Sequence, residues 1–137
     1  MPDALNMLMR WLHIASMATL VGGLLFARLA MIPAAKDLVA EEAEALGERA
    51  AAAFRPIAFS AMLAAVLSGF YNVLTMPGHS VRYHILLGIK ILLAAHLFAV
   101  TMLIVRPHCP RRPRLMSGAL LSGLAIILIA GYLRGIF

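Results

Sequence analysis

Four apolar runs, at roughly 5–32, 56–76, 84–105 and 115–133, decide what this chain can fold into. Each reaches the length of about 20 residues that an α-helix needs to cross the hydrocarbon layer of a bilayer. Lipid offers a backbone no hydrogen bonds, so such a segment must satisfy its own amides as a helix. The expected fold class is all-α: an integral membrane four-helix bundle, in one domain of 137 residues. The composition agrees, because a water-soluble domain of this size has no use for 63% hydrophobic and only 13% charged residues. The first run is too long for a secretory h-region and no basic n-region precedes it, so it is expected to remain a mature span.

The connections differ in chemistry. KDLVAEEAEALGERAAAAFRP, between the first two spans, holds five of the six acidic residues. Val39, Ala43, Leu46, Ala50 and Ala53 recur there at helical spacing, which predicts an amphipathic helix over about 37–54 running on into span two. Gly47 should weaken that helix, and Pro56 should kink or restart it. MPGHSVRYH reads as a tight polar turn, and RPHCPRRPR, with three prolines and four arginines, cannot be helical throughout. The lone Cys109 excludes an internal disulfide and any Cys-x-x-Cys motif.

An even number of spans puts both termini on one side. Arg10, Arg82 and Arg134 lie towards that side, and Arg28, Lys36, Arg49, Arg55, Arg106, Arg111, Arg112 and Arg114 towards the other. Positive residues favour the cytoplasm, so both termini are expected outside a bacterial-type inner membrane. The net charge of +6 therefore points to lipid headgroups and not to nucleic acid, because the cations cluster beside apolar runs.

Ionisable residues inside the spans need a reason, because burial without a partner costs several kcal/mol or so. His13 lies about two turns into span one; Lys90 and His96 interrupt span three. For Lys90 the plain alternative is snorkelling, and for each histidine it is one interhelical hydrogen bond. The sharper reading is iron: imidazoles from facing helices can clamp a b-type haem. His13 lies roughly 12 Å and His96 roughly 18 Å along their spans, at 1.5 Å per residue. Arg10, Arg82, Lys90 and Tyr83 would then receive the propionates near the outer surface. A second reading is Cu(I), held by thioether and imidazole from the stripe Met9, His13 and Met17 and from Met7, Met76, His79 and His84 near the outer face. No span carries an acidic residue, which excludes a carboxylate proton relay or di-iron site. Small pairs such as Gly22-Gly23, Ser68-Gly69 and Ser122-Gly123 suit close helix packing or leave room for a flat cofactor.

WLHIASMATLVGGLLF, LSGFYNVL and YHILLGIKILLAAHLFAVTMLIVRP, in this order, cover about residues 11–107. This arrangement resembles the copper-resistance protein D family, with its Trp-x-His and Gly-Gly first helix, Ser-Gly element and Tyr…Lys helix ending in arginine. It is also similar to the HemJ-type protoporphyrinogen oxidases, small helical haem-b membrane proteins. The first resemblance implies a core domain linked to copper. The second implies a histidine and a lysine on separate helices as the axial pair, which fall here on His13 and Lys90. The leading expectation is a b-haem protein with a redox or electron-transfer role, His13 as one axial ligand and His96 or Lys90 as the other. The rivals are copper binding or transport, and a cofactor-free structural subunit of a larger membrane complex. A redox partner and a homo-oligomer are compatible with the small apolar body.

Overall fold

A computed structural model describes residues 2–75, 80–109 and 111–135. Four long helices form: α1 (Pro2–Phe26), α2 (Ala40–Thr75), α3 (Val81–Ile104) and α4 (Arg112–Gly135). Each is long and apolar enough to cross a membrane, as the four apolar runs predict. Large apolar side chains such as Leu63, Phe70, Leu74, Leu92, Leu121 and Leu128 cover the outside of the bundle. That surface matches hydrocarbon as a solvent and would be untenable in water.

The helices pack as two antiparallel pairs, α1 with α2 and α3 with α4. Tyr71 donates to Asn6 at one end of the first pair, while a Cβ added at Gly23 would meet the Phe54 ring at the other. The pairs join mainly where α1 meets α4; α2 and α3 touch only sparsely. In lipid the association depends on close van der Waals packing, which small residues permit. Ala58, Ala61 and Ala65 of α2 are buried against Leu20 and Leu24 of α1 in one core. Gly123 of α4 lies so close to Val21 that an added Cβ would stand 2.8 Å from Val21 Cγ2. Gly123→Leu is therefore expected to push α4 off α1 and to destabilise the bundle by about 1–3 kcal/mol, the usual range for overpacking. Thermal unfolding in detergent measures this, and an unchanged midpoint would contradict it.

One expectation needs correction. The amphipathic stretch runs on into span two as expected, but Pro56 does not restart it: α2 is one helix of 36 residues. At 1.5 Å per residue this is about 54 Å, against a hydrocarbon thickness of about 30 Å. The first turns of α2, with Glu41, Glu42, Glu44 and Glu48, thus form an extension beyond the span. A proline inside a helix removes one N–H, and the alanine-rich flanks are strong enough helix formers to carry the helix past that gap. The end of α1 carries a feature that the sequence did not signal. After Phe26 the chain widens into a π-helical turn over Ala27–Met31, and the Ile32 N–H reaches back to the Ala27 carbonyl. Pro33, which follows, has no N–H to continue an α ladder. In this turn Arg28 Nε donates to Ser117 Oγ of α4 at 3.0 Å.

The basic end is more than a charge bias. Arg112 is buried; its Nε donates to the Ile104 carbonyl at 2.9 Å, and its Nη2 to the Arg106 carbonyl at 2.9 Å and to Glu48 Oε1 at 3.1 Å. Arg55 Nε donates to the Val105 carbonyl at 2.9 Å. Two guanidinium groups thus satisfy carbonyls at the C-terminus of α3 that lack helical partners, where the helix dipole also favours a cation. His108 sits at φ 55°, and in this left-handed conformation its amide donates to both Glu48 carboxylate oxygens. The remaining cations of this end, Lys36, Arg49, Arg106, Arg111 and Arg114, are exposed.

Candidate functional site

His13 faces α2. Its Nδ1 lies 3.0 Å from the Ala65 carbonyl oxygen and 3.2 Å from Ser68 Oγ. A carbonyl can only accept, so Nδ1 carries the proton. The Ser68 hydroxyl donates to the Ala64 carbonyl, one turn back on its own helix, leaving Ser68 Oγ free to accept from the same Nδ1–H. In the neutral ring the tautomer follows from the partners: Nε2 holds the lone pair, and it has no hydrogen-bond partner among the described residues. The ring fits because Gly69 has no side chain; a Cβ there would stand 3.0 Å from His13 Cε1. An N–H tied to a carbonyl on one side of the ring, with a lone pair offered on the other, is how proteins orient metal-ligating histidines.

Lys90 shares the inward face of α3 with buried Tyr83, Leu97 and Thr101, spaced by seven and four residues. It is part-buried. No carboxylate lies opposite it, and it makes no hydrogen bond among the described residues. Measured from the helix starts at the same end of the bundle, His13 is about 16 Å and Lys90 about 14 Å in, at 1.5 Å per residue. His13 on α1 and Lys90 on α3 thus stand at similar depth in the bundle.

His96 lies elsewhere. It is on the exposed side of α3, and its Nδ1 is 2.7 Å from Ser122 Oγ of α4. The structure gives His13 and His96 different neighbouring helices as partners, α2 for the first and α4 for the second. Met9 is part-buried and Met17 is packed in the core, one turn on either side of His13. Arg10 and Arg82 are exposed near the same end; Tyr83 is buried and stacks edge-on to His84. Met76 and His79 lie outside the described residues. Among the described residues no group of three or more His, Cys, Asp or Glu side chains converges on a metal position. A haem needs no such cluster, because its ring supplies four nitrogens and the protein only the axial donors.

Sequence reasoning missed the roles of Ala65 and Ser68 as acceptors for His13 and of Ser122 as the partner of His96. The Ser68-Gly69 pair was visible as a place of close approach; a carbonyl acceptor leaves no residue-type signal at all. The residues present are an imidazole oriented through Nδ1 and, at similar depth on α3, a part-buried lysine with no ion-pair partner among the described residues. Comparisons with family models, curated proteins and solved structures found nothing that matches this chain.

Proposed function

We propose that the chain is a b-haem-binding membrane protein with a redox or electron-transfer role, with His13 Nε2 as an axial donor and Lys90 as the second polar group at the site. One observation carries this reading: the Ala65 carbonyl places the proton on His13 Nδ1 and, in the neutral ring, leaves the Nε2 lone pair without a hydrogen-bond partner among the described residues. A haem would supply the one-electron chemistry. The protein's own residues do the rest. Ala65 and Ser68 hold the ring and raise its basicity, Gly69 gives it space, and the apolar core keeps water from the donor. Lys90 meets an acidic group of the ligand or completes its coordination. The resemblance to copper-resistance protein D and HemJ-type proteins supports the same pair of residues.

The test is the absorption spectrum and metal content of detergent-purified protein expressed with haem supplied. A Soret band that depends on His13 is the expected result. Colourless protein carrying copper would instead favour the second reading. There the same lone pair joins the thioethers of Met9 and Met17, one turn away on the same stripe, as a Cu(I) site. Colourless and metal-free protein would leave the structural-subunit reading.

The charge distribution supports a plasma-membrane location with the basic end inside and both termini outside. Cys109 lies at that end, part-exposed, and is the only cysteine in the chain. An impermeant maleimide is expected to label it in inverted vesicles and not in intact cells; the opposite pattern would reverse the topology.

A further inference from the structure

The outward face of α3 holds an anomaly that the haem site does not absorb. From Ile85 to Leu103 its exposed residues are Ile85, Gly88, Ile89, Ile91, Leu92, Ala95, His96, Ala99, Met102 and Leu103, and His96 is the one polar side chain among them. It lies about 22 Å from the helix start, well inside the hydrocarbon zone. Its Nδ1 is engaged by Ser122, and its Nε2 has no partner among the described residues. Acyl chains cannot supply one.

We propose that this face of α3 is the contact surface for a second copy of the chain, in a two-fold dimer within the membrane, with His96 hydrogen-bonded to His96 of the other copy. The membrane sets the geometry. Two copies with the same topology are related by an axis along the bilayer normal, so equivalent residues meet at equal depth. The single polar group of the face is thereby brought opposite itself. Imidazole complements imidazole, because one ring offers Nε2–H while the other offers the Nε2 lone pair. Ser122 permits both forms, since its hydroxyl can donate to Nδ1 in one copy and accept from Nδ1–H in the other. Ala95 and Ala99 flank His96 on the same face and let the two backbones approach. Any other subunit would need a polar group of its own at this one depth, whereas a second copy carries it by identity.

The experiment is cross-linking in native membranes of the full-length chain with Cys109→Ser and one new cysteine. Ala99→Cys is expected to give a covalent dimer at least about fivefold more abundant than Leu63→Cys, a lipid-facing control on α2 with 62% exposure. Adding His96→Leu should lower the Ala99→Cys dimer severalfold, and His96→Gln, whose amide also both donates and accepts, should restore it. Ala95→Leu keeps the imidazole but holds the helices apart, so it should lower the dimer even if His96→Leu folds poorly. A dimer absent at Ala99→Cys, equal at Leu63→Cys, or undiminished by both His96→Leu and Ala95→Leu would overturn the proposal. The outcome does not depend on pigment.

Discussion

His13→Ala is expected to abolish the Soret band of the purified protein while leaving its helicity unchanged. The ring is held from outside itself, so its supports should grade the effect. Ser68→Ala removes one of the two acceptors for Nδ1–H and leaves the Ala65 carbonyl. A fall in haem affinity of about tenfold is expected, the lower end for loss of a group that orients a metal ligand. Gly69→Leu removes no donor but places its side chain where the His13 ring lies, with its Cβ 3.0 Å from Cε1. It should abolish pigment as fully as His13→Ala, which a role for His13 in packing alone does not predict. Lys90→Met should weaken binding or shift the band, whereas His96→Leu should leave the spectrum intact. Haem titration of the variants checks the series. Pigment that survives His13→Ala, or is lost equally with His96→Leu, would contradict the assignment.

Arg112→Leu is expected to be the most destabilising single change at the basic end. The side chain is buried and joins three acceptors on different segments: the Ile104 carbonyl, the Arg106 carbonyl and the Glu48 carboxylate. Leucine would leave these without a donor, and acceptors stranded in this way cost about 1–3 kcal/mol. The unfolding midpoint should fall by about 5–10 °C. Arg112→Lys should recover only part, because an ammonium cannot reproduce the planar fork. Glu48→Gln should be milder still, since an amide oxygen can keep accepting from the His108 amide and from Arg112. An Arg112→Leu midpoint unchanged in differential scanning calorimetry would show that the α3–α4 turn holds without this clamp.

How much of the site was legible in the sequence varies by residue. From sequence Lys90 and His96 stand as equal candidates for the second ligand; the structure turns the row Tyr83, Lys90 and Leu97, spaced by seven residues, inward. His96, six residues further on, falls about 120° around the helix and so on a different face. His13 was conspicuous as an imidazole among aliphatic residues. Its partner was not, because Ala65 takes part through a backbone oxygen. The arginine-rich turn was legible as a basic end, but not as a pair of guanidinium caps, since that depends on where the α3 carbonyls point.

From the order of residues alone came the number of spans, the helical class, the two unlike ends and the short roster of membrane-embedded ionisable groups. Each of these is one-dimensional: a run length, a period or a charge count along the chain. Which helix each imidazole meets, the protonated nitrogen of His13, the passage of α2 through Pro56 and the looseness of the α2–α3 seam were decided only in three dimensions. A helical period says which way a side chain points and is silent about what stands there. In lipid, where apolar faces are alike to the solvent, that choice rests on close packing between particular small residues and on a few directed hydrogen bonds.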